Sequence, residues 1–81
     1  MYVFEHITSG NSCQCILWEM TAKELFTARR KAVFEDAGLG DPTHTYERAS
    51  GSEAHEHVRR GGTHNTGLYM DGNRIRYAKG E

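Results

Sequence analysis

The chain has 81 residues, 37% hydrophobic and 26% charged, with ten Lys and Arg against eleven Asp and Glu. That length accommodates one small domain over residues 1–81, whose core leaves little room for the deep, dry pocket in which small-molecule enzymes usually work. A net charge of −1 excludes a general nucleic-acid coat, which needs a basic footprint, and no run approaches the roughly 20 apolar residues of a membrane helix.

Tyr2 to Ile7 is rich in β-branched and aromatic residues and reads as a strand. No basic region followed by an apolar run precedes it, so no secretory signal is expected and the host cytosol is the expected compartment. Thr8 to Ser12 is a cluster of turn formers. Cys13 to Met20 reads as a second strand, antiparallel to the first, and Cys15-Ile16-Leu17-Trp18 is apolar on both faces, as in a strand covered on both sides. Thr21-Ala22-Lys23-Glu24 is a capping box, in which Thr and Glu each satisfy a backbone amide near the other. The helix it opens runs from Ala22 to about Ala37, with Ala22, Leu25, Phe26, Ala32 and Val33 on the expected core face and Lys23, Thr27, Arg30 and Lys31 opposite. Gly38 is the expected C-terminal cap, and Pro42 blocks continuation.

Thr43 to Ala49 alternates as a third strand. Residues 52–66 read as a mobile polar excursion, with a short helical turn near 52–60 capped by Ser52 and ended by Gly61-Gly62. Thr66–Met70 and Arg74–Ala78 form a last hairpin across Asp71-Gly72, a type I′ signal. The expected fold class is α+β: an antiparallel sheet of four to five strands with one main helix packed on one face, ββαβββ-like.

Chemistry-bearing residues are few. His55-Glu56-His57 with Glu53 and His64 is the best metal candidate, but i and i+2 do not face each other on a helix and strong zinc spacing is absent, so a solvated polar loop is the simpler reading. Cys13 and Cys15 point to one face of a strand with Cα atoms about 6.5 Å apart, a poor start for a disulfide. Without a second Cys or His pair at known spacing they read as buried, inert thiols in a reducing compartment. No metal, cofactor or catalytic residue is expected. Among enzymes, only a small ribonuclease-type toxin using His44 or His64 with Arg59 or Arg76 is worth weighing, and no nucleophile, base and orienting group are framed for it.

Basic residues concentrate late, with Arg59, Arg60, Arg74, Arg76 and Lys79 against Asp71 and Glu81 after His57. Arg30 and Lys31 on the helix, Arg59 and Arg60 in the excursion, and Tyr69, Arg74 and Arg76 on the hairpin are the candidate contact residues. Tyr and Arg are the types enriched where interfaces carry their energy, and the hairpin patch, on the sheet face away from the helix, is preferred.

The order of elements resembles small phage-encoded anti-CRISPR proteins that inhibit type I systems. What carries the likeness is the first strand Tyr2–Ile7, the Cys15–Met20 strand, the Thr21-Ala22-Lys23-Glu24 helix start, the Thr43–Ala49 strand and the hairpin from Gly67 to Tyr77. It is a likeness of layout over most of the chain, without a diagnostic motif, and the 52–66 segment has no counterpart in it. The resemblance implies a non-catalytic inhibitor that docks on a bacterial RNA-guided surveillance complex, at a protein or guide-RNA surface or in the path of target DNA. A bacterial protein or ribonucleoprotein complex is then the expected partner, with direct nucleic-acid contact left open as a local but not a general property, and with no membrane. The alternatives are the nuclease-type toxin and a metal-binding accessory domain.

Overall fold

The computed structural model describes residues 1–36 and 43–78. β1 (Tyr2–Ser9) and β2 (Ser12–Glu19) form an antiparallel hairpin that pairs Tyr2 with Glu19 and Ser9 with Ser12. Gly10 turns the chain with φ of 58°, a left-handed conformation that glycine adopts without a Cβ clash. β3 (Thr43–Ala49) adds antiparallel to the free side of β1, and β4 (Thr63–Asn65) lies parallel to β2, giving the order β3-β1-β2-β4. β5 (Leu68–Asp71) and β6 (Arg74–Tyr77) pair with each other as a second, two-stranded sheet. α1 (Ala22–Asp36) follows β2, and α2 (Gly51–Arg59) follows β3.

Side chains alternate across a strand, so the four-stranded sheet has two working faces. α1 packs on one, where Val3, Met20 and Leu25 are buried with Trp18 and Tyr46 against them. α2 and the β5–β6 hairpin pack on the other, where Leu17, Ala54, Val58 and Leu68 form a second cluster bordered by Tyr2, Phe4 and Ile75. This is why β2 is apolar in both registers: Leu17 and Trp18 serve different cores. The α+β class and the main helix packed on the sheet are as the sequence predicts. The antiparallel expectation holds for β1, β2 and β3, whereas β4 makes the sheet mixed and the last hairpin forms its own small sheet.

The Thr21 capping box forms: Glu24 N–H donates to Thr21 Oγ1 at 3.1 Å and Thr21 N–H to Glu24 Oε1 at 3.0 Å. The predicted core face is corrected. Leu25 and Ala32 are buried, but Phe26 and Val33 are 62% and 70% exposed, and Ala22 is exposed. Positions 25 and 32 and positions 26 and 33 form two parallel seven-residue stripes one residue apart; the sheet takes the stripe that contains the small Ala32. The Gly38 cap and Pro42 lie outside the described residues.

The 52–66 segment is likewise corrected from a polar excursion to a packed helix and a strand. α2 opens two residues earlier than predicted, on Ser50 instead of Ser52: Glu53 N–H donates to Ser50 Oγ at 3.1 Å and Ser50 N–H to Glu53 Oε1 at 3.0 Å, a second capping box. Its two apolar residues, Ala54 and Val58, are both buried. The β5–β6 turn centres on Gly72-Asn73 rather than Asp71-Gly72. Only Gly72 has positive φ, 63°, the pattern of a type II′ turn instead of I′.

Candidate binding surfaces

The hairpin register pairs Tyr69 with Arg76 and Asp71 with Arg74, so these four side chains share one face, and Leu68, Met70, Ile75 and Tyr77 share the other. Leu68 is buried in the α2-side core and Ile75 packs against it. Tyr69, Arg74 and Arg76 are therefore brought together, exposed, on the face turned from the core, as the alternation of the sequence predicts. Asp71, which the sequence reading did not include, belongs to the same patch: Arg76 Nε donates to its Oδ2 at 2.7 Å, fixing one edge of the guanidinium. Met70 and Tyr77, on the core-side face, are also exposed, so with Tyr69 the hairpin carries three large apolar or aromatic side chains to solvent.

The other predicted contact residues do not join one patch. Arg59 and Arg60 end α2, in the same layer as the hairpin. Arg60 Nε donates to Glu56 Oε1 at 2.9 Å, at the rim of a groove of about 540 Å³ floored by Phe4 and His57. Arg30 and Lys31 lie on α1, across the sheet. Arg30 sits over the Phe26 ring, 5.8 Å from its centre, a cation–π contact that covers part of an exposed aromatic. Phe26, Val33 and Phe34, the last 74% exposed, form a second outward apolar surface that sequence reasoning missed. The signal was present as the paired stripes, but periodicity alone does not say which stripe meets the sheet.

The histidines separate in the same way. His57 Nε2–H donates to the Thr63 carbonyl at 2.8 Å, and its ring lies 5.2 Å from that of Phe4. A Cβ on Gly62 would overlap that ring, so the backbone passes directly against it. His55 is exposed, and His64 Nδ1 lies 3.3 Å from Thr66 Oγ1. The three do not converge. His44 belongs to the α1 face, the opposite side of the sheet from Arg59 and the hairpin that carries Arg76, so the pairing of His44 with either arginine is not assembled.

His44 instead meets a group that composition did not flag. Glu5, 6% exposed, accepts Trp18 Nε1–H at 2.9 Å, Tyr46 O–H at 2.8 Å and His44 Nδ1–H at 3.1 Å. Burial pushes the Glu5 carboxyl up, but the bonds from Tyr46, His44 and Trp18 and the charge of His44 outweigh it and hold the group below the ordinary glutamate value. A buried carboxylate that accepts three hydrogen bonds ties three strands together and sets the ring plane of His44. Arg29 completes this side by donating from Nη2 to the Tyr46 carbonyl at 3.1 Å. The register of β1 with β2 and β3 puts these partners beside Glu5, information that exists only once strands pair.

No protein-family model, curated protein or solved structure matches the chain.

Proposed function

We propose that the chain is a binding protein without catalysis, acting in the cytosol of a bacterial host as a phage or mobile-element inhibitor. Its contact surface is the outer face of the β5–β6 hairpin, and its partner is a nucleic-acid machine of the kind its layout suggests, a type I CRISPR surveillance complex whose target-DNA binding or recruitment it blocks. The observation that carries the reading is the hairpin itself. It spends only Leu68 and Ile75 on the core and sets Tyr69, Arg74 and Arg76 outward on a two-stranded support. Core packing has no use for two arginines and a tyrosine there. A partner bearing carboxylates or phosphates has, because a guanidinium offers a planar bidentate fork. The Arg76–Asp71 pair holds one fork in place before binding, which lowers the entropy lost on docking.

The test is a titration of the protein into a type I surveillance complex while target-DNA binding is measured, with the Arg74→Glu, Arg76→Glu double variant beside it. The wild type should inhibit, and the variant should fold normally and need about thirtyfold more protein, the loss of one interface hot spot. Arg59→Glu with Arg60→Glu should change inhibition little. Equal potency of the hairpin variant moves the contact surface elsewhere, and cleavage of labelled RNA by the pure protein replaces this reading with the nuclease alternative.

A further inference from the structure

The antiparallel ladder of the β5–β6 hairpin fixes which backbone groups are used inside it and which turn outward. Opposed residues alternate between pairs that exchange hydrogen bonds and pairs that do not. Ala78 N–H donates to the Gly67 carbonyl at 2.8 Å, and the register continues through Leu68–Tyr77, Tyr69–Arg76, Met70–Ile75 and Asp71–Arg74. Tyr69–Arg76 and Asp71–Arg74 are therefore the bonded pairs, and the N–H and C=O groups of Leu68, Met70, Ile75 and Tyr77 point away from the other strand. On β5 the first of these is closed, because Leu68 N–H donates to Thr66 Oγ1 at 3.1 Å. On β6 nothing corresponds. The two strands make a sheet of their own, and among the described residues no hydrogen bond reaches the outward groups of Ile75 or Tyr77. Arg74, Arg76 and Tyr77 are exposed and Ile75 is half-buried. An open strand edge of this kind is a template for another strand.

We propose that the outer edge of β6 receives an extended protein segment as a third strand, with acidic residues opposite Arg74 and Arg76 and apolar residues opposite Ile75 and Tyr77. This rests on the reading of the hairpin's outer face as the contact surface and makes the partner at that surface a protein. The backbone decides between protein and nucleic acid. Ile75 and Tyr77 each offer one N–H and one C=O along the edge, and another peptide backbone answers both, whereas phosphate oxygens accept but do not donate. The side chains then select the sequence. Directly opposed residues on neighbouring strands have Cβ atoms about 5 Å apart, so a carboxylate opposite each arginine meets its guanidinium in a charge-assisted bond. The outer face carries two guanidinium groups against one carboxylate, Asp71, which is already bonded to Arg76, so it is the acidic strand that completes it. Pairing β6 with its own copy about Ile75 or Arg76 sets arginine against arginine. The charges that admit an acidic strand therefore also turn away a second copy.

Amide hydrogen exchange of the full chain, read by nuclear magnetic resonance, tests the site with a capped peptide of about eight alternating Glu and Val residues, the length of a short strand. The peptide should slow exchange at Ile75 and Tyr77 about tenfold at a concentration of about 10 Kd, since only the free state exchanges. It should change Tyr69 and Arg76 little, because their amides are already bonded within the hairpin. N-methylation of the valines, whose amides face β6 in this pairing, should abolish the effect, and N-methylation of the glutamates, whose amides face away, should preserve it. The Arg74→Glu, Arg76→Glu variant, its fold checked by circular dichroism, should lose the Glu-Val peptide and gain its Lys-Val counterpart. No slowing at Ile75 and Tyr77, indifference to which amides are methylated, or tighter binding of an oligouridylate than of the peptide overturns strand addition. Any of these, joined to loss of surveillance-complex inhibition in the double variant, leaves the hairpin face standing as the contact surface. Slowing at Ile75 and Tyr77 with undiminished inhibition by that variant supports the strand site and overturns the hairpin's role against that complex.

Discussion

The two helices invert the usual relation between apolar content and burial. α1 has 15 residues and carries Leu25, Phe26, Val33 and Phe34, yet three of those four side chains face solvent. α2 has nine residues and only Ala54 and Val58 as apolar members, and it buries both. What separates them is the shape of the stripe that each turns to its sheet face. On α2, an Ala and a Val one turn apart make a narrow, shallow ridge that fits beside Leu17 and Leu68. On α1, the Leu25–Ala32 stripe does the same, and the bulkier Phe26–Val33 stripe is left at the side. Apolar count measures what a helix has to offer; the shape of the stripe decides which part is used.

Truncations give the largest expected effects. Leu25→Ala should destabilise by about 3 kcal/mol and Val58→Ala by about 2 kcal/mol, because each opens a cavity in a separate small core. For a chain of this size that is a fall in melting temperature of very roughly 8–20 °C, read by circular dichroism. If Val58→Ala is silent, α2 is not held by its ridge and the contrast between the helices fails.

Glu5 is next. Glu5→Gln should cost about 2 kcal/mol, since an amide in place of the carboxylate presents a donor to Trp18, Tyr46 or His44, which are all donors themselves. The folded-state pKa is depressed, so the stability that ionised Glu5 contributes is complete above the ordinary value of 4.5 and is lost as pH falls through the lower folded value. Denaturant melts of wild type should therefore weaken across that acid window, and Glu5→Gln should remove part of the slope. An identical slope in the variant would assign the acid sensitivity to other carboxylates.

The two capping boxes sharpen the comparison further. Thr21→Ala and Ser50→Ala should each cost about 1 kcal/mol, measured as a shift in denaturant midpoint at constant slope. Equal costs show that both helix starts are ordered to the same degree, whereas a negligible cost at Ser50 would return the segment to the mobile excursion that its polarity suggests. The smallest effect belongs to Phe26→Ala. At 62% exposure it should change stability by no more than about 0.5 kcal/mol, and a drop of several kcal/mol would put Phe26 back in the core.

Local chemistry was readable wherever it is written in contiguous residues. The Thr21-to-Glu24 cap, the β1–β2 hairpin, the double-sided β2 strand and the outward alternation of Tyr69, Arg74 and Arg76 all follow from spacing of a few residues. Ser50 with Glu53 carries the same capping signal as Thr21 with Glu24 and was available to the same reasoning; Ser52 drew attention because the Ser-Gly-Ser break offers two starts. What was not readable depends on register between distant strands. Glu5 meets Tyr46 and His44 across β1–β3, His6 meets Cys15 across β1–β2, and Thr63 joins Ile16 in a parallel pair that no local pattern announces. The cysteines, expected buried, lie toward the open end of a sheet face because α2 is too short to cover it.

The bond from the Trp18 indole to Glu5 has a consequence for how this molecule is observed. Trp18 is the sole tryptophan, and it lies wholly on the α1 side, with its N–H on a buried carboxylate. Tryptophan fluorescence, excited selectively over the tyrosines, is thus a one-sided optical probe: it sees the layer under α1, including protonation of Glu5, and receives news of α2 and the hairpin only through the sheet. A far-ultraviolet dichroism melt samples both layers at once. Coincidence or separation of the two curves reports directly whether the opposite faces of this sheet come apart together.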